Sequence, residues 1–443
     1  MAVRRKRVEV ARLAFWLAAG FWVFLVGGVF ASNQLQPYQM FEDGYRAARS
    51  LIEESLQTRP SVLIERRYDG DGVTRHDPAR AHAGLTLMEG WFARGAELRL
   101  VDMAGGVVHR WPADFFEIWP DPQHVFPKTN VPAGPFNYHT QGIWLFPDGS
   151  VVINFAEVGT VKMDRCGAVQ WTIDRMTHHS ITPNPDGSFW IPAKGDVRDL
   201  PDSLLLPGVS EEELLDSRGW YEDRLLLVGA DGRIAREISV LQALFDGGIE
   251  RELLDVGRFS SLDPTHVNDV EVVTPTLARR IQGIEAGDLL ISIRQMHMLA
   301  ILDERTGRMK WRHIGPWVRQ HDPDITDEGT IEVFDNGTME LVLDRIPGSS
   351  LVSLDPATGR TRTLYPLPGE DGFHTEIMGT HQLLANGNRL ITESLAGRVF
   401  EIDARGKVVW EYVKPYDQSH AALIESAIRY DESYFEVRDW SCP

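Results

Sequence analysis

The stretch Leu302-Asp303-Glu304-Arg305-Thr306-Gly307-Arg308-Met309-Lys310-Trp311 decides the fold. It reads as an apolar residue, an aspartate, a short turn with a glycine, a strand and a tryptophan. Aspartate and glycine mark a tight hairpin turn, and the alternating residues that follow suit a strand. The phrase returns as Val101-Asp102 with Gly106 and Trp111, as Met163-Asp164 with Gly167 and Trp171, and as Ile402-Asp403 with Gly406 and Trp410. Weaker copies are Leu354-Asp355 with Gly359 and the Asp231-Gly232 turn. These copies predict six hairpins of one kind, each the outer strand pair of a repeating unit, with the aromatic closing it against its neighbour.

A second phrase precedes most copies: a histidine, an apolar strand, a turn, then another strand. His139, His179, His266, His321 and His381 occupy that phase, at spacings of 40, 87, 55 and 60 residues. Four-stranded units at such periods predict an all-β fold, a six-bladed β-propeller over residues 85–443. The long interval holds polar insertions near 196–222 and 241–263. The first unit, about 85–112, is short of a strand, and Tyr434–Trp440 is expected to supply it and close the ring.

Outward from the repeat, the N-terminus carries Arg4, Arg5, Lys6, Arg7 and Arg12 ahead of an uncharged apolar run, Leu13–Ala31. Residues 1–12 read as a basic cytoplasmic tail. Residues 13–32 read as a transmembrane signal anchor, long enough at about 1.5 Å per residue to cross a hydrocarbon core. A cleaved signal peptide ending near Val29-Phe30-Ala31 is the rival reading. Residues 33–84 form a helical or extended connector, in which 39–57 reads as a short amphipathic helix packed on the exported domain or, alternatively, in a homodimer contact. The propeller is then expected outside the cytoplasm, at the bacterial inner membrane, single-pass. There the only two cysteines, Cys166 and Cys442, can form a disulfide; two buried thiols are the alternative. The formal charge of −19 argues against a nucleic-acid partner.

In a propeller the first strand of each blade lines the central channel, so residues of equal phase point into one funnel. Five histidines there suit an imidazole-lined pocket with acid–base capacity; capping of strand starts is the structural alternative. His178 and His179 are adjacent, so one of the two faces the channel. Arg294, in Leu290-Ile291-Ser292-Ile293-Arg294, suits an anion clamp or a blade-to-blade salt bridge. No local metal-binding signature occurs, so neither a metal site nor a cofactor is expected. Asp322, Asp324, Asp327 and Glu328 resemble a calcium loop only loosely and read as a solvated turn. Nucleophile-elbow, phosphate-loop and dinucleotide fingerprints are missing.

The phrases Thr265-His266-Val267-Asn268, Ile291-Ser292-Ile293-Arg294, Gln320-His321-Asp322 and Phe334-Asp335-Asn336-Gly337, in that order, resemble the bacterial arylsulfotransferase family. Gly379-Thr380-His381-Gln382, Asn386-Gly387-Asn388 and Trp440-Ser441-Cys442-Pro443 resemble its membrane-anchored relatives. The resemblance covers roughly residues 130–443. It implies nucleotide-independent transfer of a sulfuryl group from an aryl sulfate to a phenol, through a sulfated histidine. It also implies that His266 and His321 are the supporting catalytic pair and that Arg345 is a looser match to the family's arginine. The family's nucleophilic histidine aligns near Glu393-Ser394-Leu395-Ala396-Gly397, where this chain has none; His381 or His374 would replace it. The site expected is thus catalytic His266, His321 and His381, with Arg294, Arg345, Asn268, His139 and His179 binding substrate. A non-catalytic propeller binding a ligand or protein partner, and a metal- or quinone-dependent propeller enzyme, are the alternatives.

Overall fold

The computed structural model describes residues 59–126, 128–205, 222–249, 252–253, 263–337 and 348–442, with positions 15, 16, 18, 20–24 and 27. Two compact units separate at Arg59 and Pro60. In the first, the described positions are helical and exposed, Phe15, Trp16, Phe21 and Trp22 among them. No helix among the described residues is long and apolar enough to cross a membrane. Most of the 13–32 segment and all of the 39–57 helix lie outside the described residues, as do parts of both insertions.

The second unit is a six-bladed β-propeller built from six antiparallel sheets. Blade 1 joins the C-terminal strand Leu423–Tyr430 to Leu85–Phe92, Gly95–Val101 and Val107–Pro112. Blade 2 holds Thr140–Leu145, Val151–Phe155, Gly159–Met163 and Val169–Ile173. Blade 3 holds Thr182–Pro183, Phe189–Lys194, Asp223–Val228 and Ile234–Ser239; blade 4 holds Val267–Val272, Leu289–Ile293, Met298–Leu302 and Met309–Ile314. Blade 5 holds His321–Ile325, Ile331–Asp335, Ser350–Asp355 and Arg360–Tyr365. Blade 6 holds Thr380–Leu383, Arg389–Glu393, Arg398–Ile402 and Val408–Val413, with Gly72–His76 as a fifth, outermost strand.

The repeated phrase forms the outer hairpin of each blade for a local reason. Its aspartate turns back to accept the amide hydrogens of its own turn: Asp102 from Ala104 and Gly106, Asp164 from Cys166 and Ala168, Asp403 from Arg405 and Lys407. The tryptophan at the far end reaches the next blade. Trp111 Nε1 donates to Gly149 O at 3.2 Å, Trp171 to Ala230 O at 3.1 Å and Trp410 to Met103 O at 3.0 Å. Trp111 and Trp410 are fully buried between blades, where loss of such a ring costs about 3–5 kcal/mol.

Ring closure differs from the expectation in one respect. The closing strand is Leu423–Tyr430, paired with Leu85–Trp91 from Leu85↔Tyr430 to Trp91↔Leu423. Tyr434–Trp440 is not a strand. It runs over blades 1 and 2, with Tyr434 Oη donating to Leu145 O at 2.7 Å and the Trp440 ring 5.3 Å from His109. The strand Leu423–Tyr430 is buried almost throughout and fits an inner position; the tail has exposed polar residues and fits the rim. The Cys166–Cys442 disulfide ties that tail to blade 2, with Cα atoms 5.6 Å apart.

Candidate active site

The six inner strands surround a central cavity of about 270 Å³. Imidazoles sit where these strands begin, and carboxylates follow a few residues along. His179 enters from blade 3, His266 from blade 4 and His321 from blade 5. The His179 ring centroid is 5.3 Å from that of His266 and 6.3 Å from that of His321. His179 and His321 line the cavity, and His266 packs against His179.

Each of the three has its Nδ1 tied back by a neighbouring group. His321 Nδ1 lies 2.6 Å from Asn336 Oδ1. Asn336 Nδ2 donates to the carbonyls of Thr375 and Met378, at 3.0 and 2.7 Å. That fixes Oδ1 toward the ring as an acceptor and puts the His321 proton on Nδ1. His266 Nδ1 bonds the carboxylate of Asp263. His179 Nδ1 lies 2.9 Å from His178 Nδ1. The far nitrogen of His178 is 3.2 Å from Asp223 Oδ1, although off the line of a good hydrogen bond. With His178 protonated on Nε2 toward Asp223, its Nδ1 accepts and His179 Nδ1 donates. In His179 and His321, with the proton on Nδ1, Nε2 keeps its lone pair.

The local chain is shaped to present them. His179 and His266 have φ of 53° and 47°, a left-handed conformation uncommon for residues with a side chain. Such strain gathers where surrounding structure over-determines it. Asn154 Nδ2 donates to His178 O, His179 O and Ser180 O at 3.3, 2.8 and 3.3 Å. Gln141 Oε1 accepts from the amide of His179 at 3.0 Å. Gly142 lets this turn come close: a Cβ there would sit 1.9 Å from His179 O. Bulges interrupt four inner strands, between Thr140 and Gly142, Val267 and Asp269, His321 and Asp324, and Ile424 and Ser426. The first three re-aim Gln141, Asn268 and Asp322.

Burial sets the charge of the imidazole wall. It pushes His321 down to about 3, helped by the Arg294 guanidinium, and His178 down to about 4, helped by Lys194. His179 falls well below its ordinary value through burial and then through His178 and His266. These rings are neutral at pH 7. Positive charge lies beside them: Arg294 is buried, and its amide donates to His266 O at 3.2 Å. Lys194, also buried, is 2.9 Å from Asp223 Oδ1 and 3.5 Å from Asp263 Oδ1. Burial opposes ionisation of Asp263, but Lys194 and His266 outweigh it and hold the carboxyl at about 2.

His381 stands apart from the imidazole group, among carboxylates. Its Nδ1 is 2.8 Å from Asp322 Oδ2, and its Nε2 is 3.6 Å from Asp324 and 3.8 Å from Glu332. Burial favours the neutral ring, but Asp324, Asp322 and Glu332 win and raise it to about 9. Asp269 is pushed up to about 8 by burial and Asp322, and Glu271 and Asp324 rise well above their ordinary range.

The remaining expected residues spread out. Asn268 lines the cavity and donates to Gln320 O at 2.7 Å. His139 is half-buried beside blade 2, not among the residues lining the cavity, and burial lowers it to about 4. His374 is half-buried and also off the cavity, its amide donating to Glu393 Oε1 at 3.1 Å. Glu393, where the family histidine aligns, is a buried carboxylate that accepts from Tyr68 at 2.9 Å and pairs with Arg398 at 3.2 Å. Arg345 lies outside the described residues. Asp322 and Asp324 turn into the cavity, unlike the solvated turn expected of them; only Asp327 and Glu328, in the exposed hairpin loop, behave that way. Sequence reasoning missed Asn154, Asp263 and Lys194, whose roles depend on contacts across blades. Asn336 stood in a quoted phrase but read only as a turn.

Fold and site together define a propeller with a channel walled on one side by neutral imidazoles beside buried cations. A model of the arylsulfotransferase (ASST) family matches residues 142–415. The chain belongs to that family. It matches no curated protein. Among solved structures, a protein of unknown function from Bacteroides caccae is 12% identical, with a TM-score of 0.49, covering 78% of this chain and 98% of its own. Virginiamycin B lyase from Staphylococcus aureus is 10% identical, with a TM-score of 0.35, covering 63% and 71%. The Pan2 WD40 domain of Neurospora crassa is 10% identical, with a TM-score of 0.38, covering 76% and 84%.

Proposed function

We propose that the chain transfers a sulfuryl group from an aryl sulfate to a phenol, without a nucleotide donor, and that His179 is the nucleophile. One observation carries this reading: three imidazoles from consecutive blades meet, each with Nδ1 held by a neighbouring group. His179 is the middle ring, flanked by His266 and His321. Its Nε2 lone pair attacks sulfur while the bond to the aryl oxygen breaks and the phenolate departs. In the second half, His266 or His321 takes the proton of the acceptor phenol. The phenol oxygen then attacks sulfur, and the electrons of the N–S bond return to Nε2. Arg294 and Lys194 supply a positive field to the sulfuryl oxygens, which need electrostatic positioning more than covalent help. His381, committed to carboxylates, is not assigned this role.

We also place the propeller in an oxidising, extracytoplasmic compartment, tethered through residues 13–32. The Cys166–Cys442 bond supports that compartment, and the basic residues before the apolar run support the orientation. Family membership supports aryl sulfate and phenol as substrates.

The test is incubation of the protein with 4-nitrophenyl sulfate, with and without phenol, followed by peptide mass mapping. The expected result is phenol-dependent nitrophenol release and an adduct of about 80 Da on His179. His179→Ala should lower turnover by about 10³-fold or more. The second reading is a ligand-binding propeller, favoured by Glu393 standing where the family nucleophile aligns. Folded protein that releases no nitrophenol from several aryl sulfates would establish it.

A further inference from the structure

Farther along the inner strands, a wall of carboxylates carries chemistry that sulfuryl transfer does not use. Asp269 and Glu271 from blade 4, Asp322 and Asp324 from blade 5, and His381 from blade 6 all face the same cavity. One ligand atom each from Asp322, Asp324 and His381 lies within 4.8 Å of the others. A group of carboxylates alone would carry no argument, since solvated acidic clusters are common. The His381 ring is the independent observation. Its side chain is fully buried, at 0% exposure, yet Nε2 makes no hydrogen bond.

The other half of that ring is fully organised. Asp322 Oδ2 accepts both the His381 backbone amide, at 2.5 Å, and Nδ1, at 2.8 Å. This pair of hydrogen bonds to one carboxylate oxygen fixes the ring plane and turns Nε2 toward Asp324 and Glu332, 3.6 and 3.8 Å away. Those gaps are too long for hydrogen bonds. They suit two donors sharing an ion: ligands about 2.1 Å from a common metal sit roughly 3.0–3.4 Å apart, a few tenths of an ångström closer than here. A carboxylate on Nδ1 with Nε2 presented to the open side is how ligating histidines are commonly held. Glu332 is already neutralised by Arg389, at 2.7 Å to Nε and 2.5 Å to a terminal nitrogen, so it is the weakest of the candidate donors.

We propose that this wall binds a divalent cation, with His381 Nε2 and Asp324 as protein ligands and Asp322, Asp269 and Glu271 closing the charge around it. One imidazole among carboxylate oxygens favours manganese or zinc over magnesium or calcium, which prefer oxygen alone. The proposal does not depend on the transfer reaction: the site lies on other residues and is read out by ion binding.

The experiment is titration of the chelator-stripped full chain with Mn²⁺, followed by electron paramagnetic resonance, and with Zn²⁺, followed by calorimetry. Circular dichroism verifies the fold of every sample. About one ion per chain is expected, with Mg²⁺ at least tenfold weaker. Asp324→Asn and His381→Gln should each weaken binding tenfold or more, while Glu328→Gln, on the exposed turn, should not. Thermal stability should rise with ion concentration in the wild type and not in the two variants. The proposal fails if folded wild-type protein shows no saturable binding of either ion, or if both variants bind as tightly as it does. Should Asp324→Asn not fold, His381→Gln decides alone.

Discussion

His321 owes its neutral charge to burial and the position of its Nδ1 proton to the Asn336 side chain. Asn336 accepts from Nδ1 because its own amide hydrogens are spent on Thr375 and Met378. The consequence can be measured. With His321 held near 3 and His179 well below its ordinary value, neither ring gains a proton between pH 7 and pH 5. The transfer rate of the wild type should therefore lack an acid limb from these groups in that range. Asn336→Asp places a carboxylate against Nδ1 and stabilises the imidazolium, raising the His321 pKa by roughly 1–3 units. The variant's rate should then fall as the pH drops toward 5, and a profile identical to the wild type would remove His321 from proton transfer.

At the scale of elements, the site depends on close backbone approach between blades 2 and 3. Gly142 sits at the bulge of its inner strand, against the carbonyl of His179. Gly142→Ala should force that strand and the strained His179 turn apart, at a cost of about 1–3 kcal/mol. Thermal denaturation should register the loss as a lower Tm, and turnover should fall more steeply than stability explains, because His179 moves with the turn. Alanine at Gly248, where an added Cβ meets nothing within 4 Å but φ is 69°, is the control: strained backbone, unaltered site.

For the whole molecule, the ring is closed by a strand and then tied by a covalent bond outside it. Leu423–Tyr430 completes blade 1 and buries its apolar face against that blade. The segment after it only crosses the rim. Truncation after Asp431 should leave a folded propeller with a lower Tm, since it removes the disulfide and the packing of Tyr434, Phe435 and Trp440. Truncation after Ala422 should yield no cooperatively folding protein, because a sheet edge and blade core would be exposed. Circular dichroism melts of the two forms separate these outcomes.

The amino-acid sequence by itself determined the six outer hairpins, because in each an aspartate bonds the amide two residues on in its own turn, and in four of them a tryptophan follows seven to nine residues after that aspartate. It also carried the family phrases and the pairing of Cys166 with Cys442 as one of two alternatives. Only the tertiary structure decided which histidines meet. His179, His266 and His321 converge because ring closure sets three blades side by side, with bulges turning the strand starts of blades 4 and 5 inward and Asn154 and Gln141 of blade 2 holding the His179 turn. Neither Asn336 as the partner of His321 nor Asp322 as the partner of His381 could be read from spacing, since those bonds span 15 and 59 residues. The closing strand was misplaced for a similar reason. Tyr434–Trp440 has the aromatic content of a strand, but the burial that selects Leu423–Tyr430 exists only once the first and last blades are in contact.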